Sequence, residues 1–306
     1  MKPFDLQVNG YRGADFCSAD LTPERCRAAC RALAADGVDG ILATVITDSI
    51  DALCSKLRRL VALRADDPEI RRMIAGFHVE GPFISAVPGF VGAHPPEHVR
   101  PADVDSMRRL LDAGSGLVRL VTLAPEHDPG LATTAFLARR GITVSAGHCD
   151  PSRDCLERAI DAGLSMVTHL GNGCPTTLPR HDNVIQRMLA VRDRLWICFI
   201  PDGAHVPFFA LRNYLDLCGV DRAVMVTDCI AASGLGPGLH TFSGMTVEVD
   251  AAGVARRPGA ANLAGSTVTM PQVRDNLARH LGLAPADVAR LVDANPRAAI
   301  GMPAGG

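Results

Sequence analysis

The chain has no charge excess of either sign: 31 lysines and arginines face 33 aspartates and glutamates, for a formal net charge of −2. That balance gives no electrostatic footprint for nucleic acid or anionic lipid. Long apolar runs are missing as well. No segment approaches the roughly 20 apolar residues that span a bilayer, and the N-terminus reaches polar residues at once, without the basic-then-apolar order of a signal peptide. The sequence therefore reads as a cytoplasmic protein without nucleic-acid or membrane partners. Its ten cysteines include no Cys-x-x-Cys pair, so they are expected to be reduced and mostly buried as small apolar residues, not a disulfide framework. No Gly-x-Ser-x-Gly elbow occurs, which makes a covalent serine mechanism unattractive. The glycines of Gly234-Leu-Gly-Pro-Gly238 lack the strand and helix context of a nucleotide-binding loop.

What is present is a repeating pattern. With 306 residues, 47% apolar and 21% charged, the chain has the composition of a globular enzyme and a length that one α/β barrel can fill. Eight strand-like apolar runs are expected: 4–9, 40–47, 74–84, 117–123, 142–148, 166–170, 196–201 and 223–228. Helix-like segments separate them. In one, Thr22 is the expected N-cap and Pro23 takes the favoured first position; Asp150 and Pro151 repeat that pairing. Alternating strands and helices imply right-handed βαβ units and a parallel sheet, and eight of them suggest closure into a (β/α)8 TIM-like barrel occupying residues 1–306 as a single domain. The stretch from about 230 to 269 breaks the rhythm. Its glycine-rich turn and the alternating segment Met245-Thr-Val-Glu-Val-Asp250 read as a loop and hairpin inserted after the eighth strand, on the face where barrels keep their sites.

Four of the apolar runs close on Glu80, His148, His169 and Asp228. Polar residues at the carboxyl ends of separate parallel strands are how a barrel assembles an active site. Two imidazoles and a carboxylate suit an open catalytic zinc site, although iron, cobalt or nickel fit a similar donor set. His78 falls on the same side of its strand as Glu80, where it either orients that carboxylate or serves as a core histidine. Small residues beyond His169 would let backbone amides approach a substrate, and Gly147 would allow close packing beside His148. Capping of strand ends is the bland reading of each such residue alone, but four together favour a metal-dependent hydrolase.

The ordered motifs resemble the N-acetylglucosamine-6-phosphate deacetylases of the amidohydrolase superfamily. They run Gln7-Val-Asn9-Gly, His78-Val-Glu80-Gly-Pro-Phe, Gly92-Ala-His94, Thr122-Leu-Ala-Pro-Glu126, Ser145-Ala-Gly-His148, Thr168-His169-Leu-x-Asn172, Asp202-Gly-x-His205-Val, Val226-Thr-Asp228, Leu263-Ala-Gly-Ser266 and Asn295-Pro-Arg-Ala-Ala-Ile-Gly301. The resemblance implies deacetylation of a phosphorylated amino sugar with one divalent metal ion on Glu80, His148 and His169, and with Asp228 as general base and then general acid. It also implies that His94 and His205 contact the sugar, that Asn172 and the backbone of Gly173 meet the phosphate, and that Ser266 belongs to the substrate region. His205, or the metal, is expected to stabilise the oxyanion. Gln7 and Asn9 stand where two-metal relatives carry His-x-His, which argues against a second ion. Arg180 is the candidate phosphate partner, acting across a homodimer; as an alternative, its loop recognises another substrate. The family's small β-sandwich is expected to be absent or vestigial. Alternative functions are hydrolysis of an unphosphorylated N-acyl sugar or another amide, and a barrel that only binds.

Overall fold

The computed structural model describes residues 2–260 and 262–303. Eight strands form one parallel sheet whose order follows the chain: β1 (Phe4–Val8), β2 (Gly40–Ile46), β3 (Ile74–Glu80), β4 (Val118–Leu123), β5 (Thr143–Ala146), β6 (Leu164–Val167), β7 (Trp196–Phe199) and β8 (Ala223–Met225). The sheet curls into a nearly closed barrel. Its seam between β1 and β8 is a single bridge, Val8 to Cys229, where the Asn9 amide donates to the Cys229 carbonyl at 2.8 Å. The strands are buried on both faces because one face fills the lumen and the other is covered by helices.

Around the barrel lie α1 (Pro23–Ala35), α2 (Ile50–Asp66), α3 (Pro68–Met73), α4 (Val104–Ala113), α5 (Ala132–Ala138), α6 (Arg153–Asp161), α7 (Val184–Leu189), α8 (Phe208–Cys218), α9 (Met270–Arg279), α10 (Pro285–Ala289) and α11 (Asn295–Ala299). Thr22 caps α1 as expected, accepting from the Arg25 amide with Pro23 in the first turn. The second cap differs from expectation. Helix α6 starts at Arg153, and Ser152 accepts from the Cys155 amide. Asp150 instead pairs through its side chain with Arg187, at 2.8 Å. The Asn295 motif is structural: the Asn295 amide donates to the carbonyls of Val220 and Ala223, both at 2.7 Å, and the Arg297 guanidinium pairs with Asp293 and Asp39.

After β8, strands β9 (Gly238–Phe242), β10 (Met245–Val249) and β11 (Ala255–Arg256) form a separate antiparallel sheet. Ser243 and Gly244 join β9 to β10 with positive φ at both residues, 47° and 75°, the requirement of a tight two-residue hairpin turn. A bridge from Cys229 to Ser266 then brings the chain back beside the barrel. All ten cysteines are free thiols; seven are buried, and Cys155, Cys174 and Cys218 are half-buried. No helix among the described residues is long and apolar enough to cross a membrane.

The seam carries a buried acid. Asp5 accepts from the Gln7 amide at 3.1 Å and from the Thr227 hydroxyl at 2.6 Å, and burial pushes its pKa up to about 7. The raised value means the fold favours protonated Asp5, so this contribution to stability is full below about pH 4 and is lost as pH rises through about 7. An asparagine presents one acceptor and one donor, as the protonated acid does. Asp5→Asn is therefore expected to stabilise the protein above pH 7 by up to roughly 4 kcal/mol, with little change near pH 4. Denaturant midpoints across that range check this, and identical pH profiles for both proteins would contradict it.

Candidate metal centre and active site

Glu80 lies in β3, but the other three residues lie beyond their strands. His148 follows β5 by two residues, His169 follows β6 by two, and Asp228 follows β8 by three. All three have positive φ, at 52°, 28° and 49°. The sequence reading placed them at the strand termini, continuing the ladder. Instead a left-handed residue interrupts each strand beyond its regular ladder and turns its side chain over the barrel mouth. Non-glycine residues in that region carry strain that the surrounding structure must hold, and such strain concentrates at functional sites.

One ligand atom each from Glu80, His148 and His169 lie within 4.8 Å of one another. His169 Nε2 is 3.1 Å and His148 Nε2 is 3.5 Å from the same Glu80 oxygen, Oε1. The Phe90 carbonyl, 2.8 Å from His148 Nδ1, can only accept. In neutral His148 the proton is therefore on Nδ1, and Nε2 turns a lone pair toward the carboxylate. Such an arrangement calls for a cation among the three groups, and an open Glu-His-His donor set fits a divalent metal. Gly92 and Gly173 pack on the same imidazole: a Cβ at Gly173 would meet His148 Nδ1 at 2.8 Å. Gly147 is similarly confined, since a Cβ there would lie 2.2 Å from Thr168 Cγ2.

The charges respond to this crowding. Burial alone would raise the Glu80 pKa, but the hydrogen bonds and charges of His148 and His169 hold it well below the ordinary carboxylate range. Burial would lower the His169 pKa, yet its hydrogen bond to Glu80 raises it. Asp228 is pushed up to about 6, first by burial and then by the charge of Glu80. His94 falls to about 3 through burial and its neighbour His148. It is anchored by Thr47 Oγ1, 2.7 Å from Nδ1, with Nε2 4.0 Å from Glu80 Oε2.

Gln7 and Asn9 serve the carboxylates. Gln7 Nε2 donates to both Glu80 oxygens at 3.1 Å and to Asp228 Oδ1 at 3.0 Å, and Asn9 Nδ2 reaches the same Asp228 oxygen at 2.7 Å. His78 is fully buried and pairs through Nε2 with Thr122 Oγ1 at 2.8 Å; burial lowers its pKa to about 4. It thus sits as a core histidine, and the donor that fixes Glu80 is Gln7.

A cavity of about 440 Å³ opens above the centre. Its walls include Glu80, His148 and His169 together with Asn9, His94, Asn172, Gly173, His205 and Asp228. Asp202 holds His205 by its ring Nδ1 at 2.6 Å. Two expected contacts are elsewhere. Ser266 is buried, with its hydroxyl donating to the Thr227 carbonyl, and Arg180 is exposed and outside the cavity lining. Arg187, which the sequence did not single out, pins the loop that carries Asn172 by pairing with Asp150 at 2.8 Å and Asp182 at 2.6 Å. The sequence also missed an apolar wall of Ile46, Ala93, Phe242 and Leu263. The hairpin pattern around residue 245 was its available signal.

A parallel eight-stranded barrel with two imidazoles and a carboxylate gathered at its carboxyl-end mouth, beside a buried aspartate, defines a metal-dependent hydrolase of the amidohydrolase type. The chain belongs to the N-acetylglucosamine-6-phosphate deacetylase family. It is 32% identical to the N-acetylglucosamine-6-phosphate deacetylase of Bos taurus over 90% of this chain and 67% of that protein. It is 28% identical to an Escherichia coli N-acetylgalactosamine-6-phosphate deacetylase, over 97% of this chain and 77% of that one. Among solved structures, a point mutant of the Mycobacterium smegmatis N-acetyl-D-glucosamine-6-phosphate deacetylase in complex with N-acetyl-D-glucosamine-6-phosphate superposes with a TM-score of 0.89, at 32% identity, covering 99% of this chain and 78% of that one. No family model matches the chain.

Proposed function

We propose that this protein hydrolyses the acetamide of N-acetylglucosamine 6-phosphate to glucosamine 6-phosphate and acetate. The observation that carries the reading is the convergence of Glu80, His148 and His169 within 4.8 Å, with Asp228 lining the same cavity. Those three residues would hold one divalent ion, zinc in this reading, with iron, cobalt or nickel compatible with the same donors. A bound ion supplies Lewis acidity, lowering the pKa of water and polarising the amide carbonyl.

The chain's own groups do the rest. Asp228 accepts the proton of the attacking water and delivers it to the nitrogen as the carbon–nitrogen bond breaks, which releases acetate and the free amine. Gln7 and Asn9 hold that carboxylate in place through the bonds at 3.0 and 2.7 Å. His94 and His205, anchored by Thr47 and Asp202, face the cavity as donors for the sugar and the developing oxyanion. Asn172 and the Gly173 amide line the side assigned to the phosphate. The reading includes one barrel unit over residues 1–306, with the hairpin supplying Phe242 to the cavity, and a cytoplasmic homodimer in which Arg180 of one protomer meets the phosphate bound by its partner.

A second reading is favoured by one observation: among the described residues, no lysine or arginine lines the cavity of a single chain. An unphosphorylated N-acyl sugar would need none. Acetate release from N-acetylglucosamine with and without the 6-phosphate separates the two. The first reading expects a strong preference for the phosphorylated sugar that Arg180→Ala diminishes; equal rates on both sugars would support the second.

A further inference from the structure

We propose that Thr168 is a positioning residue for this hydrolysis, acting through Gln7: its hydroxyl anchors the Gln7 amide at the place from which its NH2 group reaches the two carboxylates of the site. Gln7 stands on β1, and Thr168 directly follows β6 on the far side of the barrel. Thr168 Oγ1 donates across the lumen to Gln7 Oε1 at 2.9 Å. An amide has one accepting end and one donating end. With the accepting end held by Thr168, the NH2 group points at Glu80 and Asp228, which it reaches at 3.0 to 3.1 Å. Both side chains are buried, Gln7 at 1% and Thr168 at 4% exposure, so solvent offers little competition for these bonds.

The consequence is a link between the carboxylate assigned to the metal and the one assigned to proton transfer. Asn9 supplies Asp228 with another donor, but Asn9 Oδ1 has no partner among the described residues. Gln7 is thus the amide whose position is set from behind. Valine matches the shape of threonine while losing the hydroxyl, and would leave Gln7 Oε1 buried without a donor. Without that anchor the amide is free to shift along the lumen toward other donors, which lengthens its bonds to both carboxylates. Tight packing of Thr168 Cγ2 over Gly147 keeps the residue in place, and valine preserves that methyl.

The inference rests on the proposed deacetylation for its kinetic arm, and metal affinity tests it separately. Thr168→Val is expected to lower kcat by about 10–100-fold and metal affinity by about tenfold, the usual scale for a partner that orients a metal ligand, with KM little changed. Thr168→Ser keeps the hydroxyl and is expected to restore both. Gln7→Met is expected to reproduce the valine defect, with Thr168→Val adding nothing further in that background; this comparison serves even if the single valine variant folds poorly. A folded Thr168→Val protein with wild-type kcat and metal affinity would overturn the inference, as would a serine variant as impaired as the valine one. If the wild type releases no acetate, the proposed reaction falls, and chelator competition on the same variants still decides whether Thr168 positions the site.

Discussion

Asp228→Asn is expected to lower kcat for acetate release by about 10²–10⁴-fold, the range spanned by general acid–base groups, while leaving the fold and the bound metal in place. The geometry explains why the defect should be so confined. Asp228 Oδ1 accepts from Gln7 and Asn9, and the asparagine carbonyl can keep both bonds. What it loses is the capacity to take a proton from water and return it to the leaving amine. Metal content, thermal midpoint and KM should therefore stay close to wild type as turnover collapses. A loss smaller than about tenfold would remove Asp228 from proton transfer.

Glu80→Gln is expected to act at the other end of the same network. Glu80 is the anionic member of the three-residue cluster, and both histidines lean on its Oε1 atom. Removing one partner of a buried charge pair costs about 3–5 kcal/mol, or roughly 10²–10⁴-fold in metal affinity. Two imidazoles remain, so the variant should release its ion to a chelator that the wild type resists. The His169 pKa, raised by its bond to Glu80, should fall as well. The barrel itself should persist, because its strands pair through backbone bonds that the substitution leaves alone. Retention of one ion per chain after chelation would place the metal elsewhere.

The fold was legible because the strands announce themselves locally. Each of the eight is a short apolar run, and turn chemistry or a cap such as Thr22 marks where helices begin. Glu80, His148, His169 and Asp228 stood out as polar residues ending apolar runs. Their backbone did not. Histidine and aspartate adopt a left-handed φ more readily than most residues, but the sequence does not mark which of them will do so, as His148, His169 and Asp228 do. The partners that fix the site were hidden for a similar reason: Thr168 and Gln7 are 161 residues apart, and Asp5 and Thr227 are 222 apart. Such contacts arise only once the barrel closes. Asp202 was more accessible, since it precedes His205 by three residues within one motif.

Arg180 marks the boundary between chemistry and specificity. Its motif position suggested a phosphate partner, yet it is exposed and outside the cavity of its own chain. The metal centre, by contrast, is complete within one chain, as the three convergent ligands and the Gln7 network require no other subunit. In the proposed function, then, the proton-transfer chemistry needs one chain, while Arg180 would add its phosphate contact across the homodimer.

The proposed function depends on one ion held by Glu80, His148 and His169. Its most direct test is a titration of metal-stripped protein with zinc while acetate released from N-acetylglucosamine 6-phosphate is measured. Release is expected to be negligible without metal and to rise until it levels off at one ion per chain. Release that proceeds undiminished without metal, or no release at any zinc level, would contradict it.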